Sequence, residues 1–188
     1  MGRDATPRES DRVIQPVLPI PAASSKASGK AKGAGVIVAL IAMLGVWEGS
    51  KPKPYLDHIG IPTACRGITG PEVTRRYNAG ERFTTAECDA METAYILTMQ
   101  DRMAGCIKEP MSDGEWLAYS HFAFNVGTAG FCKSSLVKRL NAGDHAGACR
   151  QMAKWTWAGG RNCRDPANRC TGLPKRRDAE VKVCLEAL

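Results

Sequence analysis

The chain has 188 residues, a formal net charge of +7, eight cysteines and only 6% aromatic residues. That length fits one domain with a core of ordinary size. The positive balance favours an anionic partner, but basic and aromatic residues are not interleaved as in RNA-binding surfaces, which argues against nucleic acid.

The cysteines are Cys65, Cys88, Cys106, Cys132, Cys149, Cys163, Cys170 and Cys184, and no two are spaced C-x-x-C. His58, His121 and His145 stand at no metal-ligand interval, so no metal site and no cofactor are expected. An even number of dispersed cysteines reads as disulfides and an oxidising compartment. Buried free thiols in a cytosolic protein are the alternative.

Residues 1–32 hold Pro7, Pro16, Pro19 and Pro21, then a polar, basic stretch over 24–32. Such a segment cannot bury enough apolar area to offset its chain entropy and reads as a disordered tail. Residues 33–47 follow without a single charge. As a helix this run would span about 22 Å, short of the roughly 30 Å of a bilayer core. It is also rich in small residues: Gly33, Ala34, Gly35, Ala39, Ala42 and Gly45. A permanent anchor is therefore disfavoured. A buried first helix and a cleavable signal peptide are the other readings. The segment could also enter the membrane first and become a buried helix on leaving it.

Gly60, Pro62, Gly67 and Gly70 punctuate residues 54–70 as short strands and turns. Thr84 or Thr85 caps a helix reaching about Met103, with Glu87 in its first turn. Ser112 caps the next, whose Trp116, Leu117, Phe122, Phe124 and Val126 are the most hydrophobic stretch of the folded part, closed by Gly127 and Gly130. Two short helices begin near Ser134 and Asp144, and Pro174 opens a final one. The sum is α+β with helix predominating: a small strand unit, then about five helices.

Two carboxyls stand out. Glu48 follows Trp47 and the apolar run, where desolvation favours the protonated form that a general acid needs. Asp57 lies in a polar turn, where a charged carboxylate is solvated. Two carboxyls in unlike surroundings divide into acid and anion. The spacing alone is weak, and a helix end plus a turn residue would also produce it. Trp155 and Trp157 read first as packing residues, Glu115 as a helix-dipole partner outside the site, and Lys175, Arg176 and Arg177 as a solvated face or a surface for an anionic polymer.

The pattern sharpens as a whole. Glu48-Gly49, Pro54-Tyr55, Asp57, Gly60, Thr63 and Cys65-x-Gly67 fall in one register. Further on come Thr85-Ala86-Glu87-Cys88, Phe122-Ala123-Phe124-Asn125-Val126-Gly127, Leu140-Asn141-Ala142-Gly143-Asp144, Trp155-Thr156-Trp157-Ala158-Gly159-Gly160 and Gly172-Leu173-x-x-Arg176-Arg177. On these motifs the chain resembles the phage lysozyme (endolysin, muramidase) family, in its signal-anchor-release branch. The resemblance spans about residues 35–186. It implies a lysozyme-like fold, with a β-hairpin lobe, a larger helical lobe and a cleft between them. It implies Glu48 as general acid, Asp57 as anionic partner or base and Thr63 as the third site residue. Tyr55 and Asn125 are candidate substrate contacts, with helix capping as the alternative for Asn125.

The domain plan is then a tail over 1–32, a signal-anchor-release segment or first helix over 33–47, and a catalytic domain over 48–188. The expected reaction is hydrolysis of the β-1,4 bond between N-acetylmuramic acid and N-acetylglucosamine in bacterial peptidoglycan, ending in host lysis. Alternatives are a lytic transglycosylase on the same bond and a non-catalytic, membrane-tethered wall-binding protein. The expected course is transient association with the host inner membrane through 33–47, then action as a monomer in the periplasm of a Gram-negative host. Where members often carry histidine after the strand, this chain reads Cys65-Arg66-Gly67-Ile68-Thr69-Gly70.

Eight cysteines allow 105 connectivities. Cys163 and Cys170 flank a turn-rich loop that a disulfide would close, and the resemblance suggests Cys106 with Cys132. Cys149 and Cys184 could then join two C-terminal helices, leaving Cys65 with Cys88. Unpaired thiols remain open.

Overall fold

The apolar run folds as a helix, α1 (Ala34–Trp47), in a computed structural model that describes residues 34–47, 49–57 and 60–188. The expected tail over 1–32 lies outside the described residues. Those residues fall into two units, 34–101 and 102–188.

In the first unit, Val36, Leu40 and Leu44 of α1 are buried, whereas Val38 and Val46 are exposed. A spacing of four residues puts the buried three on one stripe, so only that face of an apolar helix is covered. Three antiparallel strands follow in the order β1 (Lys51–Leu56), β2 (Pro62–Cys65) and β3 (Ile68–Thr69). β1 keeps two prolines because it is an edge strand, where missing N–H donors cost little. The β1–β2 register sets Tyr55 opposite Thr63 and Leu56 opposite Pro62, with an irregularity between Lys51 and Tyr55.

Helix α2 (Pro71–Ala79) was not foreseen in the sequence. Val73 is its one buried residue, so it has no apolar period to detect. Its ends carry the signal instead: Pro71 at the first position, and Gly80 at φ +70 donating to the Arg76 and Tyr77 carbonyls. Arg75 and then Arg76 hold Glu72 down to about 2. Helix α3 (Thr85–Ala104) starts with a reciprocal cap: the Glu87 N–H donates to Thr84 Oγ1 and the Thr84 N–H to Glu87 Oε2. The core between sheet and helices is Ala64, Cys65, Ile68, Val73, Phe83 and Cys88, with Met91 and Tyr95 packed against it. Inside it a disulfide joins Cys65 and Cys88.

The second unit is built on α4 (Asp113–Val126), opened by the Ser112–Glu115 capping box. Gly127 ends it, but Gly130 does not: it sits within the next short helix, α5 (Thr128–Lys133). Helices α6 (Ser135–Leu140) and α7 (His145–Gln151) start at Ser134 and Asp144, each accepting a backbone N–H on its side chain. A small hairpin, β4 (Trp157–Ala158) with β5 (Arg161–Asn162), precedes the last helix, α8 (Gly172–Glu186), which begins two residues before Pro174. Tyr119, Phe122, Phe131, Leu136, Leu140 and Met152 are fully buried. Three disulfides close this unit: Cys106–Cys132, Cys149–Cys184 and Cys163–Cys170. Each contributes about 2–4 kcal/mol through the unfolded chain.

The end of α8 rests on the first turn of α4, at a glycine. A Cβ added to Gly114 would lie 2.4 Å from the Ala187 Cβ. Gly114→Ala is therefore expected to destabilise the protein by about 1–3 kcal/mol through overpacking, read as a lowered midpoint in chemical or thermal unfolding.

Candidate active site

Glu48 lies outside the described residues, between the end of α1 and exposed Gly49. The other two expected members, Asp57 and Thr63, flank the β1–β2 turn, and one carbonyl ties them together. Ile61 O accepts from the Asp57 N–H at 3.0 Å and from Thr63 Oγ1 at 3.0 Å. Asp57 Oδ1 in turn accepts from the Ile61 N–H at 2.9 Å, and Asp57 O from the Gly60 N–H at 3.1 Å. Gly60 has φ +81, a left-handed conformation that glycine adopts without strain. Together these bonds fix the start of the turn and the orientation of the Asp57 carboxyl.

Thr63 is buried in the middle strand, facing Tyr55 on one side and Thr69 on the other. Its hydroxyl proton is committed to Ile61 O, so its oxygen is left as an acceptor. Tyr55 is half-buried with Lys51 Nζ 4.7 Å from its ring centroid. Behind the strand, Arg66 pairs with the fully buried Glu92 and lies 4.0 Å from Asp89. Burial pushes the Glu92 carboxyl up, against the pull of Arg66. Arg66 also lies beside α1: a Cβ at Gly45 would be 3.8 Å from its Nη2. Nothing in the sequence pairs residues 26 apart, so this contact was not foreseen.

Asn125 belongs to the other unit and does not serve as a cap. Its Oδ1 accepts from Arg177 Nη2. Arg177 also donates from Nε to Trp155 O at 3.0 Å, pairs with Glu180 Oε2, and lies 4.7 Å from the Phe122 ring centroid. Glu180 Oε1 meets His121 Nδ1 at 2.7 Å and Arg176 Nε at 3.4 Å. Burial raises the Glu180 pKa, but hydrogen bonds and charge from His121 and Arg177 outweigh it and the net shift is downward. Burial pushes His121 down, toward the neutral form. An ionised Glu180 only accepts, so Nδ1 of His121 is the donor.

Arg176 and Arg177 therefore do not form a solvated face; both are buried. Lys175 is exposed. The missed signal was Arg176-Arg177-x-x-Glu180, three and four residues apart on one helix. The tryptophans also split. Trp155 packs edge-on against Phe122 with centroids 5.3 Å apart, but Trp157 is 51% exposed. Glu115 does more than favour a helix dipole: it is buried and meets His145 Nδ1 at 2.6 Å. That pair lines a shallow hollow of about 660 Å³ with Ser112, Asp144 and Leu188, and no expected site residue lines it.

The phage lysozyme family matches residues 45–180. The chain belongs to that family. It is 36% identical over 138 residues to a SAR-endolysin of Bacteriophage PS119, covering 73% of this chain and 76% of the relative. To the SAR-endolysin of Escherichia phage Mu it is 35% identical over 130 residues, covering 69% of each. The fold is similar to a solved P22 lysozyme variant, with a TM-score of 0.67 over 81% of this chain and 97% of that one at 23% identity. The chain is thus a phage endolysin of the SAR branch with a lysozyme-like α+β fold. As a phage lysozyme it is a glycoside hydrolase that degrades peptidoglycan, so the reading as a non-catalytic binder falls.

The buried network has a pH signature. Glu180 is lowered in the folded state, so its stabilisation is present above its unfolded value of about 4.3 and is lost as pH falls through that range. His121 is also lowered, so the unfolded chain takes up a proton first, below about 6.5. Both act in the same sense. The thermal midpoint should fall as pH is taken from 7 to 4, and in His121→Gln the upper part of that fall, starting near pH 6.5, should be missing.

Proposed function

We propose that this endolysin hydrolyses the β-1,4 bond between N-acetylmuramic acid and N-acetylglucosamine, with Glu48 protonating the leaving oxygen and Asp57 and Thr63 guiding water. The observation that supports this most directly is the shared Ile61 carbonyl. It uses the Thr63 hydroxyl proton, so a water bound there must donate to Thr63 Oγ1. Its second hydrogen is available to the Asp57 carboxylate, and its lone pair is left for the sugar carbon. Glu48 directly follows Trp47 in the sequence, and its role is to give a proton to the glycosidic oxygen as the bond breaks.

Two variants test the roles. Glu48→Gln keeps the shape and removes the acid, so clearing of permeabilised Gram-negative cells should drop by about 100-fold to 10,000-fold. Thr63→Val keeps the volume and leaves Ile61 O still paired with the Asp57 N–H, so the stability cost should be about 1 kcal/mol. Activity should nevertheless fall by about 100-fold through a misplaced water. Product mass separates the close rival: hydrolysis adds one water per cut, whereas a transglycosylase leaves an anhydro sugar. Full clearing by Glu48→Gln would overturn the assignment.

The same reading extends to residues 33–47. We infer that this run first lies in the host inner membrane and then leaves it to become α1, with the enzyme acting in the periplasm as a monomer. No helix among the described residues is long and apolar enough to cross a membrane. Small residues contribute little to insertion, and α1 leaves one side uncovered after folding, as expected of a segment that serves in two solvents. Gly35 and Ala42 are exposed, and a Cβ at Gly35 would meet nothing within 4 Å. Gly35→Leu with Ala42→Leu should therefore spare the folded form while strengthening insertion. More of the protein should fractionate with membranes and lysis should be delayed; unchanged fractionation and timing would count against release.

A further inference from the structure

Most arginines with a defined role in this fold face a carboxylate: Arg66, Arg75, Arg76, Arg139, Arg176 and Arg177 all do. Arg82 and Arg150 stand singly without an ion pair among the described residues, but one loop gathers three such arginines. Arg161, Arg164 and Arg169 are exposed and have no ion pair among the described residues, and the same is true of Lys154 and Lys175 beside them. Five cations within residues 154–175 repel one another. Such an arrangement fits an anion that no described residue supplies as an ion-pair partner.

The backbone that carries these charges is held firmly. Gly159 and Gly160, at φ +56 and +74, make the two-residue turn between β4 and β5. The Cys163–Cys170 disulfide closes the loop beyond. Asn162 braces it from both ends, with Oδ1 accepting from the Arg164 N–H at 3.1 Å and its carbonyl from Asn168 Nδ2 at 2.9 Å. The one carboxylate of the loop, Asp165, is exposed and caps the turn after it, Oδ1 accepting from the Ala167 N–H at 3.0 Å. Arg164 anchors one nitrogen on Ala153 O at 2.9 Å, and Arg169 holds a left-handed backbone at φ +53. A loop ordered before contact loses little freedom on binding. At its head stands Trp157, half in solvent.

We propose that loop 157–170 is a second contact for the cell wall, separate from the residues assigned to cleavage. Trp157 stacks on a sugar ring of the glycan. Arg161, Arg164 and Arg169 bind carboxylates of the attached peptides. The chemistry fits: an indole face accepts the C–H face of a sugar, and a guanidinium fork matches a carboxylate with two hydrogen bonds. An anionic bilayer fits less well, because Trp157 is the only large apolar side chain this loop exposes. This inference rests on peptidoglycan being the substrate.

The test uses the full, oxidised chain carrying Glu48→Gln, sedimented with purified sacculi that are either native or amidated at their carboxyls. Amidation should weaken binding by about tenfold or more. Arg161→Gln, Arg164→Gln and Arg169→Gln combined should lose a similar factor on native sacculi, lose little on amidated ones, and flatten the salt dependence. Trp157→Ala should weaken binding to both. Equal binding of the parent to native and amidated sacculi overturns the proposal, and that arm needs no loop variant to fold. Undiminished binding of the triple variant to native sacculi also overturns it. So does retained sacculus binding with lost binding to phosphatidylglycerol vesicles, which makes the partner a membrane. The chain with Glu48 intact is run in parallel: failure to release soluble fragments sinks the cleavage reading, independently of where the loop binds.

Discussion

The Glu180 carboxylate organises the unit over 102–188. It is fully buried, which would be prohibitive for a lone charge. It is tolerated because His121, Arg176 and Arg177 all turn toward it. That arrangement joins α4 to α8, since His121 comes from one and Glu180 from the other. It also leaves Arg177 free to reach outward with its remaining donors, to the Trp155 carbonyl and the Asn125 amide. The orientation of Asn125 thus follows from a charge requirement one helical turn from Arg177. With Oδ1 committed to Arg177, Asn125 offers its amide hydrogens to whatever lies beyond.

The unit over 34–101 solves a similar problem with a smaller set. Arg66 and Glu92 form a buried pair under the last turns of α1, beside a left-handed Cys65 at φ +55 and its bond to Cys88. Arg66 passes α1 at Gly45, where an added Cβ would be in ordinary contact with its Nη2 at 3.8 Å. The turn that carries the candidate residues Asp57 and Thr63 stands on the same short sheet. Its described hydrogen bonds centre on Ile61, whose N–H donates to Asp57 Oδ1 and whose carbonyl accepts from the Asp57 N–H and Thr63 Oγ1.

What could be read in advance depended on how local the cause was. Ser112, Ser134 and Asp144 start their helices as expected, because a cap is a property of four consecutive residues. The mainly helical α+β class followed from periodicity and glycine spacing. Helix α2 escaped because charges and end residues, not an apolar stripe, define it. Arg176 and Arg177 read as a solvated face or a surface for an anionic polymer because charge alone says nothing of a carboxylate one turn on. Arg66 with Glu92 and His145 with Glu115 are contacts at long sequence separation, which no local pattern encodes. The candidate site was nameable only through the ordered motifs of a family, since a glutamate and an aspartate nine residues apart occur in many chains.

The four disulfides carry a consequence for timing. Each bond removes two electrons from a pair of thiols, so the finished fold is also the end of an oxidation. Three of them are in the unit over 102–188, and the fourth ties the end of β2 to α3 within the core of the other. A newly made chain among cytosolic reductants keeps those electrons. Completion must wait for an electron acceptor, so the finished fold depends on the redox state of its surroundings rather than on time since translation.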